Sequence, residues 1–208
     1  MDSIEGFILV GGQSRRMGTD KSRLVFAGQT FVERIAGELS AVTSAVKLVG
    51  SNPASAELKL PTVPDVYSQW GALGGVQAAL SACSAEWALV VACDFPFVTR
   101  QLFARLASMR ADGDAVAPIQ NDGIPQPLCA LYRVEPCLRL SEQFIKSGER
   151  KPVALLQSVQ TRWVSFDELS YLEAADRFFE NINTPEDYVR LNEKGFSTDN
   201  VAMGSNED

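Results

Sequence analysis

The stretch from Phe7 to Lys21, F-I-L-V-G-G-Q-S-R-R-M-G-T-D-K, constrains this chain more than any other. Phe7, Ile8, Leu9 and Val10 form an unbroken apolar run, the pattern of a strand buried on both faces of a parallel sheet. The run ends in Gly11-Gly12, where the backbone can turn sharply and a ligand can approach without meeting a Cβ. Residues 11–24 then carry four basic side chains against one acid, a local +3 on a chain of formal net charge −7. A buried strand that opens into a glycine-rich cationic loop presents backbone N–H groups and fixed charge together, as phosphate binding requires. A solvated loop of ordinary composition is the alternative. The spacing is neither G-x-x-x-x-G-K-[ST] nor G-x-G-x-x-G, so neither the P-loop nor the dinucleotide fingerprint applies.

Composition narrows the chemistry further. Histidine is absent from all 208 residues, which removes Ser-His-Asp and Cys-His catalysis, His-ligated metals and an imidazole base. Carboxylates, Lys/Arg, backbone amides and an oxygen-liganded ion are what remain. The four cysteines, Cys83, Cys93, Cys129 and Cys137, form no C-x-x-C pair and sit among apolar neighbours, as reduced, buried thiols of a cytoplasmic protein do. The negative net charge argues against nucleic acid as a partner. No apolar run reaches the ~18 residues of a membrane span, and Met-Asp-Ser-Ile-Glu-Gly lacks the basic start of a secretory signal.

Along the chain, strand and helix signals alternate. Thr30 is a predicted N-cap with Glu33 at the capping-box position, opening a helix with Phe31, Ile35 and Leu39 on one face. Strands are predicted over 45–49, 58–63, 87–92 and 115–118, and helices over 73–83 and from the Thr99 cap through Met109. The second half is less regular: a strand over 126–132, a helix over 135–147 ended by Gly148, a short helix from Pro152, a strand over 162–166 and an extended segment over 178–183. Thr184-Pro185-Glu186-Asp187 begins a last helix, with Thr as N-cap and Pro in the first turn. The expected architecture is a single α/β domain over residues 1–196, a Rossmann-like three-layer α/β/α sandwich with a mostly parallel sheet and right-handed crossovers. The small, polar residues 197–208 are expected to form a disordered tail. Ligands of such sheets bind beyond the carboxyl ends of the strands, where Gly11, Gly12, Gly50, Asp65 and Asp94 are predicted to stand.

Asp94 follows a fully apolar strand and precedes Phe95-Pro96-Phe97, so its carboxylate suits a magnesium ion bridging nucleotide phosphates, or a capping role at a turn. Arg16 and Lys21 suit the phosphates themselves, since phosphoryl transfer is mostly positioning and electrostatics. No protein nucleophile is needed.

L-V-G-G-Q-S-R-R-M-G-T-D-K resembles the L-A-G-G-x-x-x-R-M-G-x-D-K signature of molybdenum cofactor guanylyltransferases, the MobA family, within the sugar-phosphate and cofactor nucleotidyltransferases. Cys93-Asp94-Phe95-Pro96-Phe97-Val98 resembles that family's C-D-x-P-x-[IV], and N-I-N-T-P-E-D its N-x-N-T-P-E-[ED]. Asp122-Gly123 with Gln126-Pro127 resembles D-G-x-x-x-P, and Ser147 to Lys151 resembles A-G-E-R-R, in the half that receives the pterin; Arg150 and Lys151 could meet its phosphate or be merely solvated. The resemblance spans residues 6–194.

It implies nucleotide contacts at Leu9, Val10, Gly11, Gly12, Lys21, Asp65 and Asp94. It gives catalytic roles to Arg16, Lys21 and Asp94, and magnesium at Asp94 with Asn183 as a second ligand. Asp65 would accept from guanine N1–H and N2–H₂, with Gly71 to Gly75 letting backbone approach the base. The implied reaction joins GMP from GTP to molybdopterin, with transient contact to cofactor-insertion proteins or acceptor enzymes. Gly50 departs from the family's asparagine, which Asn52 could replace. CTP-dependent and sugar-1-phosphate relatives share the mechanism, and a non-catalytic nucleotide-binding protein is the alternative of another class.

Overall fold

The computed structural model describes residues 3–10, 24–50, 59–67, 69–182 and 184–196, without the side chains of 112 and 192–196. Among these residues, seven strands form one sheet in the order β5-β4-β1-β6-β8-β7-β9. They are β1 Ile4–Leu9, β4 Val46–Val49, β5 Thr62–Val63, β6 Trp87–Ala92, β7 Ala115–Pro118, β8 Cys129–Arg133 and β9 Thr161–Val164. A separate hairpin pairs β2 Val25–Phe26 with β3 Gln29–Thr30. β1 lies parallel between β4 and β6, and β8 runs antiparallel to both β6 and β7.

The alternation of side chains along each strand divides the core. Ile4, Ile8, Leu48, Leu89 and Val91 face one layer with α1 (Phe31–Ser40) and α3 (Arg100–Ser108). Phe7, Leu9, Val49, Ala88 and Val90 face the other, with α2 (Gly71–Ala82), α4 (Val134–Ser147) and α5 (Pro152–Gln157). Strands buried on both faces need continuous apolar runs, which is why β1 and β6 are fully buried. The three-layer, mostly parallel expectation holds.

The predicted capping box forms: Glu33 N donates to Thr30 Oγ1 at 3.2 Å, and Thr30 N to Glu33 Oε2 at 2.7 Å. Thr99 and Thr184 likewise accept from Leu102 N and Asp187 N, the latter opening α6 (Pro185–Phe196). Two expectations are corrected. Phe178 and Phe179 form a turn following a 3-10 segment, Ala175–Arg177, where an extended segment over 178–183 is expected to begin; their rings fill the α1/α3 layer. The strand expected over 126–132 begins only at Cys129, because Gln126 and Pro127 complete the turn from β7: Gln126 N donates to Pro118 O and Cys129 N to Gln126 O. Residues 197–208 lie outside the described residues.

One ion pair fastens the opposite end of the sheet from the strand carboxyl ends. Lys47 Nζ stands 2.8 Å from Glu5 Oε2, with side chains only 20% and 11% exposed, and also donates to Ala82 O at 2.9 Å. Burial pushes the Glu5 pKa up, but the Lys47 hydrogen bond and charge and the Ser84 N–H more than offset it, so the carboxyl titrates below its ordinary value. A depressed carboxylate contributes stability above its unfolded pKa and loses it as pH falls through the folded one. Lys47→Met is expected to cost about 1–2 kcal/mol at neutral pH, and that cost shrinks as pH falls into the range where Glu5 protonates, because without Lys47 burial raises the Glu5 pKa. Urea unfolding measured at pH 7 and pH 4 reads both.

All four cysteines are free. Burial pushes Cys137 up to about 12 and Cys83 up to about 11, which makes both poor nucleophiles. Among the described residues no helix is long and apolar enough to cross a membrane.

Candidate active site

The carboxyl ends of β1, β4, β5 and β6 lie side by side, stitched past their last residues by backbone bonds. Val10 N donates to Val49 O at 2.9 Å, Gly50 N to Val63 O at 2.9 Å, and Cys93 N to Leu9 O at 3.2 Å. The chain therefore enters the glycine stretch beside the turn that carries Asp94. It emerges beside the same turn: Leu24 packs in one cluster with Phe97, Phe31, Ile182 and Leu191. Gly11, Gly12, Arg16 and Lys21 themselves lie outside the described residues, but both flanks of their segment are anchored next to Asp94.

The Asp94 turn is rigidly mounted. Phe95 plugs the α1/α3 layer, its ring 6.0 Å from that of Phe179, and Phe97 plugs the cluster holding Leu24, 5.8 Å from Phe26. Arg34 Nε donates to Pro96 O at 2.8 Å, and Ile182 N to Asp94 O at 3.3 Å. Asp94 is half-buried between these anchors. Its backbone and both neighbouring rings fix where the carboxylate stands, as preorganised charge requires. Asn183 lies outside the described residues; its neighbour Ile182 is the one bonded to Asp94 O.

Leu9 and Val10 are buried, 7% and 8% exposed, with their side chains in opposite core layers. Only backbone at these two positions is available to a ligand. Leu9 also explains part of the glycine run in α2: a Cβ on Gly75 would stand 3.3 Å from Leu9 Cδ1, so glycine lets the helix seat on the end of β1. Gly74 and Gly75 are buried packing positions, and Gly71 alone of the three lies exposed.

Asp65 follows β5, on the far side of β1 from Asp94. At the ~4.8 Å strand spacing, the three steps from β5 to β6 span about 14 Å, with the ends of β4 and β1 between. The Asp65 residue is exposed, yet nearby protein desolvates its carboxyl enough to raise its pKa above the ordinary carboxylate value. Gly50 is buried at φ +107, a conformation that asparagine adopts only with strain. Asn52 lies outside the described residues.

The pterin-half motifs hold the structure together locally. Asp122 Oδ1 accepts from Ile124 N at 3.0 Å, building the β7–β8 turn. Arg150 lies over the Trp70 ring, 4.6 Å from its centroid, and reaches the Asp65 connection. Sequence reasoning missed this pairing, although Tyr67 and Trp70 are conspicuous aromatics in a short connection. It also missed Tyr188, whose hydroxyl donates to Val25 O at 2.8 Å and accepts from Val25 N at 3.3 Å just past the cationic stretch. Among the described residues, no three His, Cys, Asp or Glu side chains converge on one point.

Comparison with known proteins agrees with this layout. Residues 6–162 match the family model described as MobA-like NTP transferase domain. The chain is 35% identical over 186 residues to a probable molybdenum cofactor guanylyltransferase of Pelotomaculum thermopropionicum, covering 89% of this chain and 90% of that one. It is 36% identical over 207 residues to the probable enzyme of that name from Chloroflexus aggregans, covering 95% and 97%. The crystal structure of molybdopterin-guanine dinucleotide biosynthesis protein A from Archaeoglobus fulgidus superposes with TM-score 0.77 at 26% identity, covering 93% of this chain and 99% of that one. With the family model matched over residues 6–162 and relatives at 35% and 36% identity across nearly the whole chain, the chain belongs to the MobA-like NTP transferase family.

Proposed function

We propose that this protein transfers GMP from magnesium-bound GTP to the terminal phosphate of molybdopterin or its molybdenum-bound form, releasing pyrophosphate. The observation that carries the reading is the Asp94 turn, gripped by the residues that lead into and out of the basic glycine stretch. An acceptor phosphate oxygen attacks the α-phosphorus in line, the bond to the β-phosphate bridging oxygen breaks, and pyrophosphate leaves. Arg16 and Lys21 offset charge on the phosphate oxygens, and the N–H groups of Gly11 and Gly12 orient them. No histidine or covalent nucleophile is called for.

The donor set fits magnesium: an oxygen ligand at the strand ends, where that ion takes one or two carboxylates and substrate phosphates complete its shell. Asp94 would hold it, with Asn183 as the second protein ligand. Bound there, it supplies charge neutralisation on the triphosphate. The protein works in the cytoplasm, and its transient partners are the proteins that accept or insert the finished cofactor.

Pyrophosphate release with GTP, CTP or UTP, with and without magnesium, in the presence of molybdopterin, tests the reaction. Preference for GTP is expected; preference for CTP overturns the assignment. Asp65 reads the base, so Asp65→Asn is expected to lower kcat/KM for GTP at least tenfold, the scale of a hydrogen bond to a charged group. Because the ionised carboxylate is the acceptor, GTP affinity falls as pH drops through the raised Asp65 pKa, and the variant shows no such limb. Between the ordinary carboxylate value and that raised one, the folded state binds more protons than the unfolded. Stability therefore falls with rising pH across that window, and Asp65→Asn removes the effect while losing base selection.

A further inference from the structure

The connection from β5 to α2, residues 64–70, carries Asp65 and is held by a side chain remote in sequence. Arg150 Nη1 donates to Gln69 O at 3.0 Å, while the guanidinium lies over the Trp70 ring. Gln69 has φ +67, a left-handed conformation that a non-glycine residue keeps only where its surroundings fix it. Trp70 in turn precedes the first residue of α2 and sits on Gly74, where an added Cβ would come within 2.9 Å of Trp70 Cβ. Arg150 is itself aimed. Past the end of α4, Glu149 N donates to Phe144 O, and Glu149 Oε1 accepts from both Arg150 N and Lys151 N at 2.8 Å. Those bonds hold the Glu149 carboxyl below its ordinary pKa.

We infer that Arg150 is a positioning residue for base selection. Arg150 holds Gln69 and Trp70, the end of the connection that enters α2, and so limits where the base-reading group four residues before Gln69 meets the purine edge. The inference rests on the reading of this connection as the base site. A planar guanidinium suits the task because its face stacks on an indole while its edge donates to a carbonyl, which an ammonium cannot reproduce.

The test uses the full chain with Arg150→Lys, Arg150→Ala, Trp70→Phe and Asp65→Asn. GTP and ITP, which lacks the N2 amino group, serve as probes in equilibrium binding, alongside KM for the acceptor, kcat at saturating GTP and the thermal midpoint. Both Arg150 variants are expected to lower the GTP-over-ITP preference about tenfold, an effect larger than any on kcat at saturating GTP or on acceptor KM, with a midpoint lowered slightly by the lost hydrogen bond and ring contact. Trp70→Phe, which keeps a ring, is expected to retain most of it. The lysine variant failing to rescue separates geometry from charge. Adding Arg150→Ala to Asp65→Asn should change the preference no further.

If Asp65→Asn loses the preference while the Arg150 variants keep it, the positioning role is wrong and the Asp65 reading stands. If the Arg150 variants lose it while Asp65→Asn keeps it, positioning stands and Asp65 is not the reader. A rise in acceptor KM alone on removing Arg150 would make it an acceptor contact and overturn the inference.

Discussion

Asp94→Asn is expected to lower the rate of nucleotide transfer about a thousandfold or more while leaving the fold intact. Asparagine keeps the shape of the side chain but removes the negative charge that would hold a divalent cation against the phosphates. At 1.36 kcal/mol per decade, a thousandfold corresponds to about 4 kcal/mol of transition-state stabilisation, within the several kcal/mol attributed to a bound metal ion or to fixed charge at such a centre. The turn is held by a backbone bond and by its flanking rings, Asp94 O accepting from Ile182 N with Phe95 and Phe97 as anchors, so asparagine, which matches aspartate in shape, is expected to leave it folded. The measurement is magnesium-dependent pyrophosphate release, with the thermal midpoint as control. Activity within tenfold of the parent at an unchanged midpoint would remove the metal role from Asp94 and leave Arg16 and Lys21 to carry the chemistry.

The parts of the fold that were legible in sequence are those whose signal is local. W-A-L-V-V-A could only be a strand buried on both faces, and β6 has the expected bounds; Thr30 and Thr99 sit three residues before the backbone N–H groups they accept from, so their helices start where expected. Strand direction is not local. The apolar pattern of β8 is the same whichever way it runs, and the antiparallel pairing follows from the short connection, where Asp122 and Gly123 turn the chain straight back from β7. The hairpin of β2 and β3 went unread because two-residue strands leave no periodicity, although Ala27 and Gly28 both adopt the positive φ of a tight turn. Phe178 and Phe179 illustrate the opposite error: consecutive aromatics read as the start of an extended segment, yet they are side chains dropped into a core from a turn. The site divides in the same way. Asp94 and Asp65 are visible as acids at strand ends, whereas the Arg150–Gln69 bond joins residues whose proximity only the packing of α2 against α4 creates.

Phe97→Ala is expected to cost about 3–5 kcal/mol, the usual range for truncating a buried phenylalanine, and to weaken nucleotide binding as well. The ring is 5% exposed and central to the smallest of the three core clusters, touching Phe26 edge-on, with the Arg177 guanidinium 3.7 Å from its centroid. Arg177 pairs with Glu180, Nε to Oε2 at 3.0 Å, while its Nη2 is buried with no hydrogen-bond partner among the described residues; the ring face adds to the ion pair in compensating the guanidinium, and the truncation loses that attraction along with the packing. Against a typical total of 5–15 kcal/mol, the loss would bring the domain close to its unfolding threshold. Urea unfolding should show a much lower midpoint with the slope unchanged. The functional consequence separates this position from any other buried ring. Phe103→Ala, in the α1/α3 layer, should lose comparable stability yet bind GTP normally in its folded fraction. Phe97→Ala, by contrast, frees Leu24 and the Asp94 turn from each other and should bind GTP more weakly even at temperatures where it is fully folded. Phe97→Leu, which refills most of the volume, should recover most of the stability and most of the binding together; recovery of one without the other would mean that the cluster does not couple the turn to the cationic stretch.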